Sequence, residues 1–180
     1  MTGPEPEMPG VSFGRIDRRH DDRGSFREVW RRGALDEPFV QANVSTSAPG
    51  VLRGLHVHRR QLDHWIVLSG RAFVAVVDIR PLLEDTSGRP GAVTRVLTAD
   101  ETVTIPAGVA HGFLALEPLE LLYLVTAEYD GTDELGFAWD DPAVAIEWPP
   151  VADTPNGLPI LSSRDRTNPN LHELIAGLRR

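Results

Sequence analysis

Cysteine and lysine are both absent from the 180 residues, so every one of the 18 basic residues counted with lysine is an arginine. Without cysteine there is no disulfide, no thiolate nucleophile and no thiolate-held zinc or iron–sulfur centre. Without lysine there is no Schiff base, no lysine general base and no P-loop lysine. Acidic residues outnumber basic ones 26 to 18, a net charge of -8, which disfavours a nucleic-acid or anionic-membrane surface. A locally positive cleft is still open, because arginines gather at positions 53, 59 and 60. No apolar run approaches the roughly 20 residues of a membrane span. The opening MTGPEPEMPG lacks the basic start and apolar core of a secretory signal, so a cytoplasmic location is expected.

What is present is a chain 41% apolar and 24% charged, the composition of one globular domain. Short segments rich in strand formers recur between Asp, Gly and Pro: FGRI, SFREVW, PFVQANVSTS, then AVTRVLT, ETVTI, HGFLAL and LELLYLVTAEY. WIVLSGRAFVAVVDIR divides at Ser69-Gly70 and predicts a hairpin, although residues 72–77 are continuously apolar and show no clean period. PLLEDTSGRPG, from Pro81 to Gly91, predicts a loop. PNLHELIAGL predicts the one helix, with Leu171, Leu174 and Leu178 on a shared face. The expectation is an all-β jelly roll with a short C-terminal helical segment: an arm over 1–10, the core over 11–150, and a wrap and helix over 151–180.

The densest chemistry lies in Leu52-Arg53-Gly54-Leu55-His56-Val57-His58-Arg59-Arg60. In a strand, residues two apart share a face, so both imidazoles can enter one cavity beside Gly54; a solvent-facing polar edge is the plainer reading. Asp63 and His64 follow, and His111 comes after a Pro-Ala-Gly turn. The order His-x-His-x4-Asp, then Pro-x-Gly-x2-His, resembles the paired signature of the cupin superfamily, with Asp63 where glutamate is usual. That resemblance implies one divalent transition metal on His56, His58, Asp63 and His111, a three-nitrogen, one-oxygen set suited to Fe, Ni, Mn or Zn. A purely structural His111 at a strand end is the alternative.

A further set of motifs covers residues 11–170: Asp22-Arg23-Gly24-Ser25-Phe26-Arg27-Glu28, Gln41-Ala42-Asn43-Val44-Ser45, Val51-Leu52-Arg53-Gly54-Leu55-His56, Val77-Asp78-Ile79-Arg80, Ile105 to Phe113, Asp141-Pro142 and Ile146-Glu147-Trp148-Pro149. In this order they resemble the dTDP-4-dehydrorhamnose 3,5-epimerase family. The resemblance implies a cupin-type jelly roll, a homodimer whose N-terminal strand crosses to the partner, a nucleotide-linked sugar as substrate, and neither metal nor organic cofactor. His56 matches the catalytic base, Asp165 the carboxylate paired with it, and Tyr123 the acid on the opposite face of the sugar. Taken alone, Tyr123 reads as strand packing and Asp165 as a cap or loop residue. Arg23 and Arg53 match positions on the pyrophosphate, Glu28, Gln41 and Asn43 match polar positions of the cleft, and Arg59 is a further expected substrate-binding residue. Phe26 stacks on a base or fills the core.

Three departures stand out. Where the family reads Gln-Gly-Lys this chain has Gln61-Leu62-Asp63, an aromatic-Gln pair has become Val57-His58, and Val74 replaces an acid. An anion at 63 repels pyrophosphate unless it turns away or meets an arginine, for which Arg59, Arg60 and Arg71 are candidates. The expected activity is inversion of C3, C5 or both in a nucleotide-linked 4-keto-6-deoxysugar, through an enolate. A metal-dependent cupin and a non-catalytic sugar-binding protein are the alternatives.

Overall fold

A computed structural model describes residues 8–35, 37–85, 88–152 and 154–179. Most of the expected N-terminal arm, residues 1–7, lies outside this set, as does Arg180. Ten strands form two five-stranded antiparallel sheets. The first is ordered β1 (Ser12–Arg15), β9 (Glu101–Ile105), β6 (Asp63–Ser69), β11 (Leu119–Val125), β4 (Gln41–Ser47). The second runs β12 (Leu135–Gly136), β5 (Leu52–Val57), β10 (Val109–Ala115), β7 (Arg71–Asp78), β8 (Gly91–Thr98). β2 (Arg18–Asp21) and β3 (Gly24–Arg27) pair only with each other among the described strands. The fold is a double-stranded jelly roll, as expected.

The core explains the unpatterned run at 72–77. Val74 and Val76 pack between the sheets with Trp65, Val103, Phe113 and Leu121. Their neighbours Ala75 and Val77 point to the other face, beneath Leu82, Leu171, Leu174 and Ile175. A strand buried on both faces reads as continuously apolar.

Two expectations need correction. Ser69-Gly70 does not make a hairpin: β6 belongs to the first sheet and β7 to the second. Gly70, at φ +84°, turns the chain from one sheet to the other, and a Cβ there would lie 2.1 Å from the Pro118 carbonyl oxygen. The apparent pair AVTRVLT and ETVTI likewise divides, β8 going to the second sheet and β9 to the first. A short apolar–turn–apolar pattern does not distinguish a hairpin from a corner between sheets, since both need a tight turn. The second correction is α1 (Arg80–Glu84), a short helix within the expected loop, started by Pro81 and anchored by buried Leu82.

α2 (Leu171–Leu178) carries a capping box, Asn170 accepting from the Glu173 amide and Glu173 from that of Asn170. Ahead of it the tail is stitched to the start of β5: the Leu52 amide donates to the Ile160 carbonyl at 3.0 Å, and the Ile160 amide to the Gly50 carbonyl at 2.8 Å. This places the 162–167 turn against β5. Among the described residues no helix is long and apolar enough to cross a membrane.

Candidate active site

A cavity of about 600 Å³ is lined from both sheets. Strand alternation selects most of its wall: Gln41, Asn43 and Ser45 from β4, Asp63 and Trp65 from β6, His111 and Phe113 from β10, Leu121, Tyr123 and Val125 from β11. β5 breaks the alternation. It contributes both Arg53 and His56, three residues apart. Opposite them, His111 and Phe113 are only two apart, so β5 carries one extra residue, a bulge. Gly54 sits in it at φ +135°, and a Cβ there would lie 2.6 Å from the Gly112 Cα. Simple alternation would have grouped Gly54 with His56 and turned Arg53 away; the bulge instead aims Arg53 and His56 at one cavity while Leu55 enters the core.

His56 Nε2 and Asp165 Oδ1 are 2.7 Å apart. A carboxylate only accepts, so Nε2 carries the proton and Nδ1 keeps a lone pair. Burial would raise the Asp165 carboxyl. The hydrogen bond and charge of His56, the Ser162 hydroxyl and the Arg164 charge outweigh it and hold the group below its usual range. The Ser162 hydroxyl also accepts from the Asp165 amide, closing the turn that presents the carboxylate. Burial raises the Tyr123 phenol, the Asp63 charge adds to this, and Arg53 partly offsets it. Tyr123 therefore remains protonated across neutral pH. Arg53 donates to Ser47 Oγ at 3.2 Å and to the Thr46 carbonyl at 3.1 Å, which fixes it at the cavity's edge.

Beside this pair lies a second group. His58, Asp63 and His111 each offer one ligand atom, all within 4.8 Å of one another, and His56 is not among them. Of the four residues that spacing suggested for a metal, the structure gathers these three. His58 Nδ1 donates to the Asp133 carbonyl at 2.7 Å and His111 Nδ1 to that of Val109 at 3.1 Å. Asp63 accepts from Gln61 Nε2 at 2.6 Å and Trp65 Nε1 at 3.1 Å. Burial pushes His111 down to about 4, against the pull of the Asp63 charge.

The remaining expected residues divide. Gln41 and Asn43 line the cavity and bond each other at 2.9 Å. Arg59 does not line it; its amide and Nε both donate to Asp133 Oδ1. Arg23, Phe26 and Glu28 are also outside it. Arg23 is paired with Asp21 on the β2–β3 turn, while Phe26 and Glu28 line a separate cavity with Trp30 and His64. Phe26 is 68% exposed, so it does not fill the core.

Several wall residues escaped the sequence reading. Trp65 follows Asp63 by two along β6, and alternation alone would have found it. The 128–134 loop, whose Glu134 is tied to Arg164 at 2.5 Å, carried no signal beyond its acidic composition.

Comparison with known proteins agrees with this picture. Residues 5–173 match the family described as dTDP-4-dehydrorhamnose 3,5-epimerase. The dTDP-4-dehydrorhamnose 3,5-epimerase of Escherichia coli is 37% identical over 167 residues, 86% of each chain. The spore coat polysaccharide biosynthesis protein SpsL of Bacillus subtilis is 36% identical over 148 residues, 78% of this chain and 96% of its own. Among solved structures, that of dTDP-6-deoxy-D-glucose-3,5-epimerase RmlC from Legionella pneumophila, in complex with dTDP-4-keto-L-rhamnose, superposes with a TM-score of 0.82 at 30% identity, covering 96% of this chain and 94% of that one.

Proposed function

From the premise that this chain belongs to the dTDP-4-dehydrorhamnose 3,5-epimerase family, we propose that it inverts C3, C5 or both in a dTDP-linked 4-keto-6-deoxysugar. The observation that carries the reading is the His56–Asp165 pair, with His56 on one sheet and Tyr123 on the other, both lining one cavity. His56 Nδ1 takes the proton from the carbon beside the ketone. Asp165, already holding Nε2–H, stabilises the imidazolium that results. The electron pair moves onto the ketone oxygen, and Arg53, beside His56 on β5 and on the cavity wall, meets that developing charge. Such stabilisation is worth about 3 kcal/mol, on the order of a hundredfold in rate. Tyr123 then returns a proton from the opposite face, which inverts the centre. Proton transfer of this kind calls for a base, an acid and an oxyanion partner, all of them side chains, and for no organic cofactor.

Gln41, Asn43 and Arg53 form the substrate-binding part of the reading within one chain. Arg23, Phe26 and Glu28 join it through a homodimer in which the β2–β3 hairpin reaches the partner's cavity. The exposed Phe26 ring, and the absence of strand pairing between the hairpin and either sheet among the described strands, support that arrangement. Arg59 acts by fixing the loop at Asp133. The cytoplasm is the location this reading favours.

The test is proton exchange. In heavy water, a dTDP-linked 4-keto-6-deoxysugar incubated with the protein is expected to take up deuterium at C3 or C5, as followed by NMR. Absence of exchange with such sugars would remove the reading.

A further inference from the structure

We infer that His58 Nε2, the Asp63 carboxylate and His111 Nε2 form a binding site for one divalent transition-metal ion of the zinc, cobalt, nickel or ferrous class. The hydrogen bonds of the two rings fix their tautomers. A carbonyl oxygen can only accept, so the bonds from His58 Nδ1 to Asp133 and from His111 Nδ1 to Val109 require a proton on both Nδ1 atoms. In a neutral imidazole that leaves Nε2 as a bare lone pair. Asp63 is an acceptor as well, and its Oδ2 stands 3.6 Å from His111 Nε2, beyond hydrogen-bond range. One ligand atom from each of the three residues lies within 4.8 Å of the others, and the side-chain donors that meet Asp63 among the described residues are Gln61 Nε2 and Trp65 Nε1, neither of them a cation.

Among the described residues, no arginine is paired with Asp63. Arg53 donates through Nε and one Nη to Ser47 and Thr46, and the Arg60 guanidinium meets Thr132, Asp130 and Asp133. The partners of Asp63 among the described residues are Gln61, Trp65 and His111. A cation resolves the arrangement, and two imidazoles with one carboxylate suit borderline transition metals rather than calcium or magnesium. The outer contacts are those a metal site needs. Each histidine gives its other nitrogen to a backbone carbonyl, and the carboxylate is held by two donors, so tautomer and orientation are set before an ion arrives. Bonds of about 2.0–2.2 Å ask each side chain to move inward by about an ångström or less. With three protein ligands, a coordination position remains for an oxygen of water or of a bound molecule. That oxygen would be the sugar's if the epimerase reading holds; the metal site itself does not depend on it.

Protein purified without a histidine tag or chelator should contain about one such ion per chain by elemental mass spectrometry. After chelation, Co²⁺ should restore visible d–d bands saturating at one equivalent, and Zn²⁺ should bind with the same stoichiometry in calorimetry. D63N and H58Q, each checked for native circular dichroism, should weaken binding by on the order of a hundredfold or more. H56A should bind as the parent does. The inference is overturned if neither Co²⁺ nor Zn²⁺ saturates the chelated protein, or if the ion survives both D63N and H58Q. Equal loss in H56A would overturn the three-residue composition. Deuterium exchange on the keto sugar is a separate measurement, so failure of the metal site and failure of the epimerase reading are distinguishable.

Discussion

His56 meets Asp165 at 2.7 Å with a proton between them, whereas 3.6 Å separates His111 from Asp63 and neither has a proton to offer the other. The residue types are the same and the cavity is shared. The difference lies in which ring nitrogen the backbone claims. Among the described residues no carbonyl holds His56; its Nε2 goes to a carboxylate and Nδ1 keeps its lone pair. Carbonyls at 133 and 109 hold His58 and His111 by Nδ1, which turns two lone pairs toward a carboxylate. The first arrangement suits a proton acceptor and the second a cation acceptor. A list of histidines and acids cannot separate these roles; the second hydrogen bond of each ring can.

Breaking the pair at His56 is expected to have the largest effect. H56A should lower deuterium exchange into the keto sugar by on the order of 10³–10⁴ while leaving metal content unchanged, read by NMR and elemental analysis on one preparation. Loss of both together would merge the two arrangements into one. Asp165 acts through His56 and is a positioning residue. D165N should cost about 10²–10³ in exchange and also reshape the pH–rate profile, because an amide cannot stabilise the imidazolium. A rate loss with an unchanged profile would mean that Asp165 only supports the turn. R53Q should cost on the order of a hundredfold in the rate of exchange, the scale of one oxyanion partner. Y123F should spare exchange but impair inversion, which stereochemical analysis of the product reads directly.

The sheets were legible in the sequence because β-rich segments and Gly or Pro turns are local signals. Partner choice was not, since Gly70 and the Ala99-Asp100 turn look the same whether the next strand returns to its own sheet or crosses to the other. The motif around Arg53, Gly54 and His56 pointed to the right wall of the cavity, but alternation misjudged its geometry; the bulge depends on the close approach of Gly54 to Gly112, 58 residues along. Asp165 was reachable only by resemblance, because 109 residues separate it from His56 and a turn in the tail brings it back. His58 and Asp63 were visible as a departure from the family pattern. That His56 stands outside their cluster follows from hydrogen bonds that no spacing encodes.

Asp100 supplies the remaining contrast with Asp63, as an acid whose charge is fully met. Arg18 grips it at 2.7 and 2.9 Å, and Arg27 bonds it as well, so the β2–β3 hairpin is clamped to the β8–β9 turn. The hydrogen bond from Arg18 is the main cause of its lowered value, opposed by burial and reinforced by Arg27, and the carboxyl falls from 3.8 to about 2. The unfolded chain therefore binds more protons between these values, so the clamp's stabilisation is complete above about pH 4 and is lost as the pH falls through about 2. Amide exchange in residues 18–27 should rise over that window, where measured. D100N should produce the same release at neutral pH, with the melting temperature lowered by a few degrees or less, the smallest effect expected here. If the hairpin stays protected in D100N, then something other than this clamp holds it, and a partner chain seated on Phe26 becomes the contact to examine.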